Sequence, residues 1–232
     1  MRTEYTDFAA VWTRAETIPG WLTPAQARVL WDAASNAEPG SLIVEIGSHQ
    51  GRSTVVLAAA ARAAGATVAA IDPFVDGAMF GGPATRDKFE ANVEAAGLRD
   101  VVRLIAERST AVRPCWAEAI GVLYIDGKHD YWTVSDDLLW TRSVVAGGHV
   151  LVHDAYSSVG VTLALLRHVL AGRSLRYLGR TASLARFEVV RPALADRLRM
   201  LRELPWWLRN VTVKVALRIG RLFGHHTTPD PY

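Results

Sequence analysis

Five short runs constrain this chain more than any other feature: "SLIVEI" (41–46), "ATVAAI" (66–71), "VVRLI" (101–105), "GVLYI" (121–125) and "HVLVH" (149–153). They are apolar, β-rich and bounded by turn residues, with no polar alternation. A strand of that kind has to be covered on both faces, which predicts a parallel sheet between helical layers. Helical patterns fill the gaps over 52–65, 83–98, 131–144 and 159–172. The first ends on Gly65, the second opens on Pro83 and closes on Gly97. Beyond residue 172, "LRYLG" and "ARFEVV" read as two more strands around a short turn, an antiparallel edge pair. A helix over 23–36 packs on the sheet, with Thr23 as N-cap and Pro24 at its first position. The expected fold is α/β: a doubly wound, mostly parallel seven-stranded sheet with an antiparallel edge strand.

Charge divides the chain into a body and a tail. Residues 1–190 carry 18 Lys/Arg against 20 Asp/Glu, and residues 191–232 carry 8 against 3. The domain is therefore placed at 1–190, with 191–232 a basic tail. A body of that balance is not expected to bind nucleic acid. Cys115 is the one cysteine, so a disulfide framework is excluded and a reducing compartment fits. The N-terminus lacks a signal pattern and no run of ~20 apolar residues offers a membrane span. A cytoplasmic location is expected.

Residues 45–51, "EIGSHQG", join the first strand to the first helix. Gly47 and Gly51 let the backbone turn tightly beside a ligand, and the helix behind them offers unpaired N–H groups. The three-glycine pattern of dinucleotide binders is missing, because Glu45 stands where its first glycine would be. A carboxylate there suits an amine and not a pyrophosphate. Asp72, at the end of the second strand, is placed for the two hydroxyls of a ribose. A ligand with a ribose and an amine but no diphosphate describes S-adenosylmethionine.

On these residues, 40–170 resemble a class I S-adenosylmethionine-dependent methyltransferase. Within that group they are similar to the metal-dependent small-molecule O-methyltransferases, of the catechol and sugar types. The resemblance implies that Glu45, Gly47, Ser48, Gly51 and Ser53 form the first cofactor motif, that Asp72 holds the ribose and that Ser109 lies by the adenine. Asp126 is counted beside the cofactor as well. Arg108 stands where the family often has an acid.

The fourth strand runs into "YIDGKHDY" (124–131). Methyl transfer to oxygen needs a base for the hydroxyl proton, and a cation on the oxygen helps by lowering its pKa. The three-residue spacing of Asp126 and His129 resembles the family's metal-binding acid and general base, which implies His129 as the catalytic base. The fifth strand ends "LVHDAY", and the resemblance implies Asp154 as the second metal-binding acid. The third ligand departs from the family: Ala155 cannot coordinate, so either His153 binds, favouring Mn²⁺ over Mg²⁺, or water fills the place. The expected cofactors are S-adenosylmethionine and a divalent cation, Mg or Mn. The acceptor is expected to be a small-molecule hydroxyl, preferably of a saccharide.

Other readings stay open. A metal-independent methyltransferase acting on nitrogen or a carboxyl group is one, and a non-catalytic S-adenosylmethionine-binding protein is another. A nicotinamide dehydrogenase is a distant third. The tail over 204–224 has helical apolar spacing beside Lys214, Arg218 and Arg221. It suits packing on the domain, a homodimer interface, or peripheral contact with the inner membrane face. The glycine-bearing loop 72–87 reads as a lid or as an insertion. Asp130, Asp136 and Asp137 read as solvated or helix N-terminal charges, Trp132 and Trp140 as sharing one helix face, and Cys115 as structural.

Overall fold

In the computed structural model, residues 7–76 and 81–222 are described. Seven strands form one sheet: β1 (Leu42–Ile46), β2 (Thr67–Ile71), β3 (Val102–Ile105), β4 (Ile120–Ile125), β5 (Val144–Val152), β6 (Leu175–Thr181) and β7 (Leu184–Val189). Their order is β3-β2-β1-β4-β5-β7-β6. The first five are parallel, and β7 pairs antiparallel with both β5 and β6. The expected seven-stranded sheet with its antiparallel edge pair is present.

Two-sided burial explains the apolar strands. Ile43 and Tyr124 pack with one core, and Val44, Ile46, Leu123 and Ile125 with the other, because alternate side chains leave opposite faces. The first core is covered by α1 (Phe8–Ala15), α2 (Pro24–Ser35), α3 (Arg52–Ala64) and α4 (Pro83–Ala95). In α3 every residue from Val55 to Ala61 is buried, since the helix is pressed between the sheet and the two N-terminal helices. Alanine is what fits such a close approach. Thr23 caps α2 as expected, in a reciprocal capping box with Gln26. Gln26 also donates through Nε2 to Ser183 Oγ at 3.0 Å, tying α2 to the β6–β7 turn.

The second core lies under α6 (Tyr131–Asp137), α7 (Val159–Leu165), α8 (Leu194–Leu201) and α9 (Leu204–Leu222). The helix expected over 131–144 is shorter: a 3₁₀ stretch follows from Leu138 to Ser143, and β5 starts at Val144. Gly147 and Gly148 disguised the early part of β5, and its register against β4 shifts there. The α7 helix ends at Leu165 and continues in wider π turns to Leu170. Three short helices were not foreseen, α1, α5 (Ser109–Val112) and α8.

The basic tail lies on the body. Met200 is buried in the second core. Glu203 accepts from Tyr177 OH at 3.0 Å and from Arg180 Nε at 2.7 Å. Among the described residues, no helix is long and apolar enough to cross a membrane.

Candidate active site

Strands whose side chains alternate between two cores end together at the carboxyl edge of the sheet, so β1, β2, β4 and β5 deliver their last residues to one cleft of about 1300 Å³. Gly47, Ser48, Ser53, Asp72, Ser109, Asp126, His129, His153 and Asp154 all line it. Such an edge, where the strand order reverses beside β1, is where open α/β sheets bind ligands.

The turn after β1 depends on its glycines. Gly47 has φ of 89°, and a Cβ there would lie 2.2 Å from Asp126 O. The ends of β1 and β4 meet at a distance only glycine permits. Gly51 has the same φ of 89° and caps α3. It does not itself line the cleft. Asp72 Oδ2 accepts from Ser48 N at 3.0 Å and His49 N at 2.9 Å, and its Oδ1 from Phe74 N at 2.9 Å. The acid read as a ribose ligand therefore also holds the shape of the turn from the neighbouring strand.

Glu45 is a correction. It is fully buried and does not reach the cleft. Its Oε1 accepts from Ser53 Oγ at 2.5 Å and its Oε2 from Thr54 Oγ1. It fastens β1 to the first turn of α3. Burial pushes its carboxyl up to about 7, against the opposing pull of those hydroxyls.

Four groups converge at the other end of the turn. His129 Nε2 lies 3.2 Å from Asp154 Oδ2 and 3.6 Å from Asp126 Oδ1. His153 Nδ1 lies 3.3 Å from the same two oxygens. Each acid's other oxygen is tied back: Asp126 Oδ2 accepts from Tyr124 OH at 2.8 Å and Asp154 Oδ1 from Ser157 Oγ at 2.7 Å. One oxygen of each acid thus faces the two imidazoles, with orientation fixed by the other. Asp154 and Tyr156 sit at positive φ, 53° and 59°, a left-handed backbone that Ala155 N, bonded to Ser183 O at 2.9 Å, helps to hold.

Burial works against every charge in this cluster, and proximity wins. For Asp126 and Asp154 the nearby imidazoles overcome burial and hold both carboxyls below the usual range. His129 is raised by its bond to Asp126, and His153 is raised by the two acids in spite of its burial. Asp126, His153 and Asp154 each offer one ligand atom, all within 4.8 Å of one another. Two carboxylate oxygens and one imidazole nitrogen suit a divalent cation that accepts nitrogen as well as oxygen.

His129 is held by its backbone. Ser158 Oγ donates to His129 O at 3.2 Å, and a Cβ on Gly160 would stand 2.3 Å from that same oxygen. The start of α7 therefore abuts the residues that carry His129, which no local pattern revealed.

Asp137 was read as a solvated charge, and the structure corrects that. It is fully buried, and Ser109 Oγ donates to its Oδ1 at 2.5 Å. Burial raises its carboxyl to about 6. Asp137 thus lies beside Ser109 from α6. Its signal was its place on the apolar face of α6, three residues after Val134. Asp130 does cap α6, accepting from Trp132 N and Thr133 N. The two tryptophans part company where the helix tightens after Asp137: Trp140 is buried, whereas Trp132 is 77% exposed at the cleft. Cys115 is exposed and away from the cleft lining. Of the 72–87 loop, residues 77–80 lie outside the described residues, and Val75 and Gly81 border the cleft.

Residues 44–155 match the family described as "Methyltransferase domain". That span begins in β1, ends just past Asp154 and contains every site residue named from the sequence. Among solved structures, the cofactor-bound protein Rv0187 from MTB is 18% identical, with a TM-score of 0.60 over 80% of this chain and 89% of its own. The S-adenosylhomocysteine-bound methyltransferase PaMTH1 of Podospora anserina is 14% identical, with a TM-score of 0.60 over 78% and 87%. The O-methyltransferase NovP is 18% identical, with a TM-score of 0.59 over 74% and 84%. At these identities the likeness is one of fold.

Proposed function

We propose that this chain, an S-adenosylmethionine-dependent methyltransferase, methylates a hydroxyl of a small molecule, a saccharide by preference, with His129 as general base and a divalent cation on Asp126, Asp154 and His153. The observation that carries this reading is the convergence of His129 Nε2 and His153 Nδ1 on the same two carboxylate oxygens inside the cleft. When bound, S-adenosylmethionine supplies an electron-poor methyl carbon on sulfonium, and sulfur keeps the electron pair of the bond that breaks. A cation, when bound, lowers the pKa of a hydroxyl.

The chain's own residues do the rest. His129 takes the hydroxyl proton on the ring nitrogen that does not face Asp126 and Asp154, as the acceptor oxygen bonds to the methyl carbon. Asp154 and Asp126 orient that imidazole and stabilise it once charged. Tyr124 and Ser157 keep the two acids from turning away. The Asp72-braced turn and Ser109 line the nucleoside end of the cleft. The saccharide preference rests on the resemblance to sugar-type O-methyltransferases and on the exposed Trp132 ring, which lines the cleft with His129.

One observation favours a metal-free variant of the same reaction. Two imidazoles face two carboxylates here, so the cluster balances its own charge once both are protonated. Chelation separates the two readings. With labelled S-adenosylmethionine and a panel of sugars, EDTA should abolish transfer and Mn²⁺ or Mg²⁺ should restore it. Transfer that persists in EDTA supports the metal-free variant, and label appearing only on amines or carboxyl groups overturns hydroxyl methylation.

A further inference from the structure

The tail helix α9 is pinned to the body along one side. Asn210 Nδ2 donates to Tyr156 O at 3.1 Å and Lys214 Nζ donates to Ser157 O at 3.0 Å. Asn210 is fully buried, and Trp206 and Trp207 pack on the second core. The Arg180 guanidinium stands over the Trp206 ring, 3.8 Å from its centroid. Lys214 therefore belongs to the side that grips the body.

The outward side is apolar. Leu208, Val215 and Ile219 are 59%, 51% and 49% exposed. At 3.6 residues per turn they fall within about 40° of one another, a single stripe. Arg209 and Arg218 are exposed as well and flank that stripe, one on each side, about 80–100° round the helix from Leu208. The charged residues of α9 are Arg209, Lys214, Arg218 and Arg221, and none is acidic. Over 191–222 there are eight Lys/Arg and two acids, of which Glu203 is held by Tyr177 and Arg180.

Two occupants would cover such a stripe. A second copy packed about a two-fold axis sets the same patch against itself. That brings arginine against arginine, with no acid on α9 to pair them. An anionic bilayer takes the apolar stripe into its interface and pairs the arginines with headgroups, while their apolar stems lie along the acyl boundary. Charge complementarity selects the bilayer. Val215 belongs both to the stripe and to the lining of the cleft, which Trp132 and Val159, also exposed, share. With α9 in the interface, the mouth of the cleft lies near the membrane surface.

We propose that α9 is an interfacial helix that docks this chain on an anionic lipid bilayer, through Leu208, Val215 and Ile219 with Arg209 and Arg218 beside them. The docking does not depend on what the cleft binds or methylates.

The full chain is co-sedimented with phosphatidylglycerol and with phosphatidylcholine vesicles. Phosphatidylglycerol should capture it and phosphatidylcholine should not, and added salt should release it by screening. Arg209→Gln with Arg218→Gln should weaken capture at least ~10-fold. Leu208→Gln with Ile219→Gln should do the same. A second measurement stands even if a double variant loses its fold. A polarity-sensitive fluorophore on Ile219→Cys, in a Cys115→Ser background, should shift to the blue on phosphatidylglycerol. The same label on Val145→Cys, exposed near the start of β5 and so at the sheet edge opposite the cleft, should not. No capture of the wild type, capture unchanged by the substitutions, or equal shifts at the two labels overturns the docking. A dimer that Leu208→Gln with Ile219→Gln turns monomeric, and that ignores vesicles, assigns the stripe to a second copy and overturns it too.

Discussion

His129 and His153 approach the same two oxygens, Asp126 Oδ1 and Asp154 Oδ2, at 3.2 to 3.6 Å, one imidazole exposed to the cleft and the other buried. On the proposed reading the buried ring holds a cation and the exposed ring moves a proton. That division of labour predicts that the two histidines fail differently.

Replacing His129 by Ala should lower turnover about 10²–10⁴-fold, the usual cost of losing a general base. Affinity for S-adenosylhomocysteine, measured by calorimetry, should stay close to wild type. A parallel loss of cofactor affinity would make His129 a structural residue.

Asp72→Ala should act in the opposite sense. It frees the N–H groups of Ser48, His49 and Phe74 together. Hydrogen bonds to a charged group contribute about 1.5–3 kcal/mol each, so S-adenosylhomocysteine affinity should fall by at least ~10-fold. Turnover at saturating cofactor should suffer less. Unchanged affinity would show that neither the turn nor the ribose depends on this acid.

Gly160→Ala drives a methyl group into His129 O, at 2.3 Å, and Tyr131 N, at 2.7 Å. Overpacking of this kind costs about 1–3 kcal/mol, visible in urea denaturation. The displaced start of α7 should also lower kcat with little change in cofactor affinity. Wild-type kcat in a destabilised variant would show that His129 does not depend on this contact.

Glu45→Gln tests the buried acid through pH. The Glu45 carboxyl rises from 4.5 unfolded to about 7 folded, so the native state holds a proton that the unfolded chain releases between those values. Stability from this group is intact below pH 4.5 and is lost as pH rises towards 7. Gln removes that dependence. The stability of Glu45→Gln relative to wild type should therefore climb by about 3 kcal/mol between pH 4.5 and pH 8. A difference that stays flat across that range would mean that Glu45 is ionised at no cost.

The sheet was legible because burial on both faces leaves a local mark, apolar residues at every strand position. The convergence of Asp126, His129 and Asp154 was legible because parallel strands end on one edge, whatever their side chains. Glu45 was misjudged since a strand-end acid looks the same whether it faces the cleft or the first turn of α3, and Ser53 and Thr54 decide that. Asp137 was missed because its role needs Ser109, far away in sequence, and Gly160 because its constraint is a close approach of two backbones. The docking of α9 through Asn210 and Lys214 likewise depends on backbone carbonyls of the 156–157 segment, which carry no signal in the amino-acid order.

The most direct measurement is a crystal structure of the chain with S-adenosylhomocysteine and Mn²⁺. The account predicts the sulfur between the Gly47 turn and His129, separated from the His129 ring by a gap that one hydroxyl fills with reacting atoms about 3–3.5 Å apart, and the ion on Asp126, His153 and Asp154. A sulfur turned away from that cluster, with His129 facing no such gap, would contradict it.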